Sequence, residues 1–86
     1  MIGPRQAAIL AELTALDERE GLTCTDLAAR TGRNRDEIAR ALASLSRRRY
    51  AAALRWRYTS RNKTAVWAAT GAGRRAFAAH QQGAAS

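Results

Sequence analysis

Two short helical segments, separated only by Gly32 and Arg33, constrain the fold of this 86-residue chain more than any other feature. Thr23 is placed to cap the first segment, and Asp26 three residues later completes an N-terminal capping box. Gly32 supplies the positive φ that commonly ends a helix. The pattern predicts a helix over 24–31 that stops at a tight turn.

A second segment begins immediately after this turn. Asn34 is placed to cap a helix over 35–48, because its side chain can accept a hydrogen bond from the backbone three residues on. Apolar residues recur there at helical spacing along one stripe, namely Ile38, Ala41, Leu42 and Leu45. The two segments together form a helix-turn-helix signature.

One amphipathic segment precedes this motif and another ends the chain. Pro4 suits the first turn of a helix whose apolar stripe comprises Ile9, Leu10, Leu13 and Leu16. Thr70 is placed to cap a last helix over 72–82, which Phe77 anchors as its one large apolar residue. Residues 83–86 are expected to form a disordered tail.

The segment from Leu54 to Ala69 is predicted to form a β-hairpin, because the apolar period changes there from helical to alternating. A turn centred on Arg61 and Asn62 would pair Trp56 with Trp67, Leu54 with Ala69 and Tyr58 with Ala65. This register puts both tryptophans on one face. We expect that face to pack against the helices and the basic face to meet solvent.

Length and composition exclude several function classes. Eighty-six residues fit one domain, placed at 1–82. No uncharged apolar run approaches the roughly 18 to 20 residues of a membrane span, and acidic residues interrupt 1–21, unlike in a signal peptide. A lone Cys24 and a lone His80 make neither an internal disulfide nor a zinc site. Without a membrane span or a signal peptide, we expect a cytoplasmic protein. Without a catalytic pair or a phosphate-cradling loop, we expect that it is not an enzyme and needs no metal or cofactor.

Charge is distributed very unevenly along the chain. The net charge of +8 divides into −2 for residues 1–37 and +10 for residues 38–86, because all seven acidic residues lie at or before Glu37. A half-chain of this sign attracts polyanions, and counterion release gives such proteins their affinity for nucleic acid. The alternative is a merely solubilising surface. Since a GC-rich genome also enriches arginine, the placement of the cations carries more weight than their type.

The order helix, helix-turn-helix, basic hairpin and closing helix resembles the winged helix-turn-helix family, most closely the MarR-like transcription regulators. The resemblance covers roughly Leu22 to Phe77 and depends on three stretches: Leu22 to Gly32, Ile38 to Leu45 ahead of a basic strand, and Thr70 to Gly73. It implies an α+β fold that is mainly helical, with three helices, a two-stranded β wing and a short C-terminal helix.

The chain also departs from that family. MarR-like wings carry an aspartate followed two residues later by an arginine, whereas this wing has Arg61, Asn62 and Lys63 and lacks the internal carboxylate. MarR-like proteins are longer, with terminal helices that build a dimer and its ligand pocket. Control by a small-molecule ligand is therefore not expected here.

The helix over 35–48 is the predicted reader of double-stranded DNA, because such a helix fits the major groove and its first two turns meet base edges. Its candidate DNA-binding residues are Arg33, Asn34, Arg35, Asp36, Arg40, Ser44 and Arg47. The helical period puts Asp36, Arg40, Ala43 and Arg47 on the face opposite the apolar stripe. Arg40 is the first choice for a base contact. Asn34 either caps the helix or reads adenine, Asp36 orients a neighbouring arginine, and Arg47 alternatively only complements the helix dipole.

The wing over 54–69 is expected to contact the DNA backbone or enter the minor groove through Arg55, Arg57, Arg61, Asn62 and Lys63. Trp56 and Trp67 are expected to pack in the core beneath the wing. Their alternative role is stacking on single-stranded nucleic acid. For Cys24, at a helix N-terminus, the alternative to an inert thiol is a redox sensor.

These features predict a sequence-selective DNA-binding protein, a small transcriptional repressor located at the nucleoid. A DNA-organising, replication or partition factor would use the same surface. A winged-helix adaptor for protein or RNA is the third possibility, although it should expose an apolar rather than a cationic surface. A homodimer is favoured, since helix-turn-helix proteins often read paired half-sites.

Overall fold

Helices and a single hairpin alternate along the chain in the computed structural model, which describes residues 2–17, 20–58 and 60–85. In chain order the elements are α1 (Pro4–Thr14), α2 (Cys24–Thr31), α3 (Arg35–Arg47), β1 (Ala51–Tyr58), β2 (Lys63–Ala69) and α4 (Gly71–Ala85). This confirms the predicted fold class. Within the described residues, none of the helices has the length and apolar character that crossing a bilayer requires.

The helix-turn-helix has the predicted caps. The Thr23 hydroxyl accepts from the Asp26 amide, and the Asp26 carboxylate accepts from the Thr23 amide, both at 3.1 Å. Gly32 adopts φ 69° at the end of α2. Asn34 caps α3, with its side-chain oxygen 2.8 Å from the Glu37 amide. These contacts span only three residues, which is why the sequence alone predicts them.

The core lies where α1, α2 and α3 meet the base of the hairpin. Its largest fully buried side chains are Ile9, Leu10, Leu13, Leu27, Ile38, Leu42, Leu45 and Val66. Each such residue contributes about 1.5 to 3 kcal/mol through removal of apolar surface from water. The predicted stripe of α3 is buried as expected, whereas Leu16 is only partly buried because α1 ends at Thr14.

The turn between α3 and β1 fixes the angle at which the wing leaves the helices. Arg49 adopts φ 63°, and the backbone hydrogen bonds of Arg49 to Ser46 and of Tyr50 to Leu45 form a Schellman motif. The start of α4 packs directly on this turn. A Cβ atom at Gly73 would lie 2.0 Å from the Tyr50 backbone oxygen, so only glycine permits this approach.

The hairpin forms, but the predicted register is wrong. Trp56 lies opposite Ala65 and Trp67 lies opposite Ala53, with an irregularity between Ala53 and Arg55. The ladder closes at Tyr58 and Lys63, so the connection is longer than the tight turn assumed from the sequence. The extra residue at the bulge shifts the pairing by one more residue in the part of the hairpin nearer its base.

The predicted packing of the wing is also wrong in its outer half. Leu54, Trp56 and Tyr58 are 47%, 48% and 71% exposed. Only the base of the hairpin is packed, through the buried residues Ala51, Val66, Ala68 and Ala69. Trp67 alone of the two tryptophans packs against the core, and its backbone pairs with that of Leu22 through hydrogen bonds of 2.8 and 2.9 Å.

The last helix is longer than predicted. It begins at Gly71 and continues to Ala85, so the expected tail at 83–86 is helical as far as Ala85, and Ser86 lies outside the described residues. Thr70 caps this helix as expected, since its hydroxyl accepts from the Gly73 amide at 3.0 Å. Phe77 is half-buried against the core.

Candidate nucleic-acid interface

The face of α3 opposite the core is open to solvent. Arg40, Ala43 and Arg47 lie on it at helical spacing, with Asp36 one turn before Arg40, and all four are exposed. Because Ile38, Leu42 and Leu45 fix the other face in the core, the orientation of these four positions follows directly from packing. The sequence predicted this division correctly.

The N-terminal end of α3 brings together three more of the predicted site residues. The Asn34 side-chain oxygen is already engaged in the helix cap, which is the structural role the sequence favoured. Arg33 forms an ion pair with Glu37 at 3.7 Å, with about a third of each side chain exposed. Arg35 is exposed, and its backbone oxygen lies 3.5 Å from the Cys24 thiol, which donates to it and ties α2 to α3.

Ser44 lies on the flank of α3 that faces α1, apart from the open face. Its hydroxyl accepts a hydrogen bond from Gln6 at 2.8 Å, and the Gln6 carbonyl accepts from Arg48 at 3.4 Å. From the sequence, Ser44 is one of the predicted DNA-binding residues of this helix. Its position in the helical period places it between the core stripe and the open face, where α1 supplies its partner.

The wing carries the second group of predicted residues. Arg55, Arg57, Arg61, Asn62 and Lys63 are all exposed on or beside the tip of the hairpin. Lys63 does not simply extend into solvent, because its ammonium lies 4.4 Å from the ring centroid of Trp56. That cation–π contact was not predicted, since it depends on the observed register of the hairpin.

Arg57 also acts on the helix-turn-helix. The backbone hydrogen bond from Thr23 is the main cause that lowers the pKa of Asp26, and burial, the next largest effect, opposes it. A side-chain hydrogen bond with Thr23 and the charges of Arg57 and Arg30 lower the pKa further. One wing cation therefore has an electrostatic link to α2.

Arg74 has a role that the sequence did not indicate. Its guanidinium donates to the backbone oxygens of Thr14 at 3.2 Å and Leu16 at 3.0 Å, at and just after the end of α1, where carbonyls have no partner within the helix. Arg74 is one of the ten basic residues after Glu37, and it is half-buried. Its charge therefore stabilises the fold by binding the backbone. No local pattern predicts it, because 58 residues separate Arg74 from Leu16.

No cluster of histidine, cysteine, aspartate or glutamate suited to holding a metal ion occurs among the described residues. Two grooves flank α3. One of them is lined by Cys24, Ala39, Leu42, Ala43, Ser46 and Trp67, and so runs between the open face of α3 and the wing.

Solved structures of transcriptional regulators share this architecture. The PcaV regulator from Streptomyces coelicolor, solved with its natural ligand, has a TM-score of 0.74 and 26% identity over 88% of this chain and 50% of its own. A MarR-family regulator from Rhodococcus sp. RHA1 has a TM-score of 0.76 and 21% identity over 94% of this chain and 54% of its own. MepR from S. aureus, in a complex with DNA, has a TM-score of 0.70 and 20% identity over 94% of this chain and 63% of its own.

This chain therefore spans between 50% and 63% of the length of these three proteins. No family model matches the sequence, and no curated protein matches it either. The likeness is one of structure: the same helices, wing and closing helix in the same order. The fold of this chain is the winged helix-turn-helix fold of the MarR-family transcriptional regulators.

Proposed function

We propose that this chain is a sequence-selective, double-stranded DNA-binding protein without enzymatic activity, and that it acts as a small transcriptional repressor by occupying its operator. The observation that carries the proposal is the open face of α3, where Arg40 and Arg47 are exposed on the helix that the fold uses as its second helix-turn-helix element. Structural likeness to MepR, solved in complex with DNA, supports it.

In this proposal α3 enters the major groove. The guanidinium of Arg40 can bond guanine O6 and N7 together, an arrangement that gives about 1 to 3 kcal/mol of discrimination between bases. Asp36 lies one turn away on the same face and orients that guanidinium. Arg47, two turns further towards the C-terminus, is suited to a phosphate.

The wing supplies the contacts that do not depend on base sequence. The exposed residues of the wing are Arg55, Arg57, Arg61, Asn62 and Lys63, on a hairpin of the kind that can follow the backbone or enter the minor groove. The sequence has no acidic residue after Glu37, so no carboxylate of the wing repels phosphate. The wing and α3 together hold the duplex from two sides.

We further propose that two copies act together, because helix-turn-helix proteins commonly read half-sites about one helical turn apart. Sedimentation equilibrium with and without an operator duplex tests this. A strictly one-to-one complex on every selected duplex would contradict it. The location that fits this function is the cytoplasm, at the nucleoid.

The test of base reading compares two exposed arginines. Duplexes selected from a random pool are titrated alongside an unrelated duplex of the same length, with the intact chain, Arg40→Ala and Arg75→Ala. Arg40→Ala should weaken the selected duplex by about 5- to 150-fold and the unrelated duplex far less. Arg75→Ala, on α4, is the matched control and should bind both duplexes as the intact chain does. Equal losses on both duplexes would mean that Arg40 touches only phosphate.

The test of the wing uses salt dependence. Replacing Arg61 and Lys63 together by alanine should weaken binding to all duplexes and reduce the slope of log affinity against log salt by about 1 to 2. An unchanged slope and affinity would show that the wing does not engage DNA. A nearly flat slope for the intact chain would contradict the whole proposal.

A further inference from the structure

Two aromatic rings and one ammonium group share a face at the outer end of the wing. Tyr58 and Lys63 lie directly opposite each other across the hairpin, and Trp56 lies two residues before Tyr58 on β1. The Lys63 ammonium is 4.4 Å from the Trp56 ring centroid and 5.9 Å from that of Tyr58. We refer to Trp56, Tyr58 and Lys63 as the wing platform.

The platform contributes little to the packed core. Trp56 retains 48% and Tyr58 71% of their accessible surface, whereas the core ends further down the hairpin at Val66 and Ala68. Buried aromatic rings normally provide a large part of a small domain's stability, whereas these two keep about half or more of their surface accessible to a partner. Duplex reading by α3 does not use them.

The chemistry of the platform identifies the partner. We propose that the wing platform is a stacking site for unpaired nucleobases of single-stranded DNA, an activity beyond the proposed duplex recognition. Flat aromatic rings offer stacking to any base, and neighbouring cations hold the phosphates between successive bases. Trp56 and Tyr58 supply the rings, and Lys63, whose ammonium lies over Trp56, and the exposed Arg61 supply the cations.

Charge argues against an apolar protein surface as the partner. The sequence from residue 38 onward contains ten basic residues and no acidic one, so the wing rings lie in a strongly cationic part of the chain. A polyanion with flat, apolar bases complements both properties, whereas an apolar protein partner would have to desolvate the cations without neutralising them.

The arrangement of the sheet indicates the path that a bound DNA strand would take. In the observed register Trp67 lies on the same face as Trp56, because Trp56 lies opposite Ala65, which is two residues before Trp67 on β2. Trp67 lines the groove that continues to Ala39 and Ala43 on α3. A bound strand would therefore lie along the side of the wing that faces α3.

The experiment measures binding of fluorescently labelled oligothymidine, which has little structure of its own, by anisotropy. The chains compared are the intact protein, Trp56→Ala, Trp56→Phe and Leu54→Ala. Leu54 is the matched control, since it lies on the same strand and is exposed to the same extent, 47% against 48%, but has no ring.

Trp56→Ala should lose about 5-fold or more in affinity for oligothymidine, while Trp56→Phe should retain most of it, because stacking needs a ring. Leu54→Ala should bind as the intact chain does. Unchanged binding by Trp56→Ala would overturn the proposal, as would equal losses for Trp56→Ala and Leu54→Ala, which indicate a general apolar contact. Self-association of the free chain that Trp56→Ala abolishes would overturn it too, by showing that a second copy covers the platform.

The two proposals, single-strand stacking on the platform and duplex recognition by α3, can fail independently because different variants test them. Arg40→Ala should keep more of its oligothymidine affinity than Trp56→Ala does, since Arg40 lies on α3 and outside the platform, but it should lose the discrimination between duplexes. Trp56→Ala should in turn preserve the discrimination between selected and unrelated duplexes. Circular dichroism of each variant establishes that the fold is intact, and the exposure of Trp56 makes a folding defect unexpected.

Discussion

The hydroxyl of Thr70 donates a hydrogen bond to the backbone oxygen of Arg49, and so joins the start of α4 to the end of α3. The same hydroxyl accepts from the Gly73 amide at 3.0 Å, and the Thr70 amide donates to the Tyr50 oxygen at 3.0 Å. One residue therefore caps a helix and fixes the turn from which the wing projects. The angle between α3 and the wing depends on this contact.

Replacing Thr70 by valine removes both hydrogen bonds of the hydroxyl at nearly constant volume. We expect a loss of about 1 to 2 kcal/mol in the free energy of unfolding, because the Gly73 amide and the Arg49 carbonyl both lose a partner. Urea titration measures this. Thr70→Ser keeps the hydroxyl and should stay close to the intact chain, whereas a larger loss for Thr70→Ser than for Thr70→Val would assign the effect to the methyl group.

Replacing Gly73 by alanine tests the close contact between α4 and the turn. The new Cβ would lie 2.0 Å from the Tyr50 oxygen, so we expect destabilisation by about 1 to 3 kcal/mol despite the better helix propensity of alanine. Gly83, also in α4, has nothing within 4 Å of its ideal Cβ position. Gly83→Ala should therefore gain up to about 1 kcal/mol. Opposite signs for the two variants are expected in thermal unfolding, and equal signs would contradict the geometry.

Arg49 occupies a backbone conformation that favours glycine. With φ at 63°, its side chain imposes a steric penalty that Arg49→Gly removes, so we expect a gain of about 0.5 to 1 kcal/mol in stability. Arg48, the preceding residue, has φ −81°, so Arg48→Gly should lower the stability instead. Denaturant midpoints of the two variants should move in opposite directions. A loss of stability in Arg49→Gly would mean that its side chain has a structural role.

Arg74→Gln tests the link between α4 and the end of α1. The Thr14 and Leu16 carbonyls would lose charge-assisted hydrogen bonds, for an expected loss of about 1.5 to 3 kcal/mol in unfolding free energy. Arg75→Gln changes the same charge at an exposed position and should have little effect on stability. A weaker interaction of folded Arg74→Gln with duplex DNA than that of Arg75→Gln would contradict a purely structural role.

The lowered pKa of Asp26 predicts a pH dependence of stability. A carboxyl whose pKa is lower in the folded than in the unfolded state stabilises the fold at pH above its ordinary value of 3.8, and this contribution is lost as the pH falls through the lowered value. Asp26→Asn removes the titrating group. The difference in unfolding free energy between the intact chain and Asp26→Asn should therefore shrink as the solution is acidified. A difference that is constant with pH would show that the capping box does not depend on the charge.

Local patterns were sufficient to predict most of the helical part of the fold. Thr23, Gly32 and Asn34 act through contacts within about four residues, and the buried stripe of α3 follows from its period. The same period placed Arg40 and Arg47 on the open face. Ser44 shows the limit of this reasoning, because its partner Gln6 comes from another helix.

The sequence by itself thus determined the helices, their caps and the face of α3 that meets solvent, since each depends on interactions between near neighbours in the chain. Only the tertiary structure decided the register of the hairpin, the exposure of Trp56 and the role of Arg74 at the end of α1. These depend on contacts between residues far apart in sequence. Alternation of apolar residues specifies neither the bulge between Ala53 and Arg55 nor where the core ends beneath the wing.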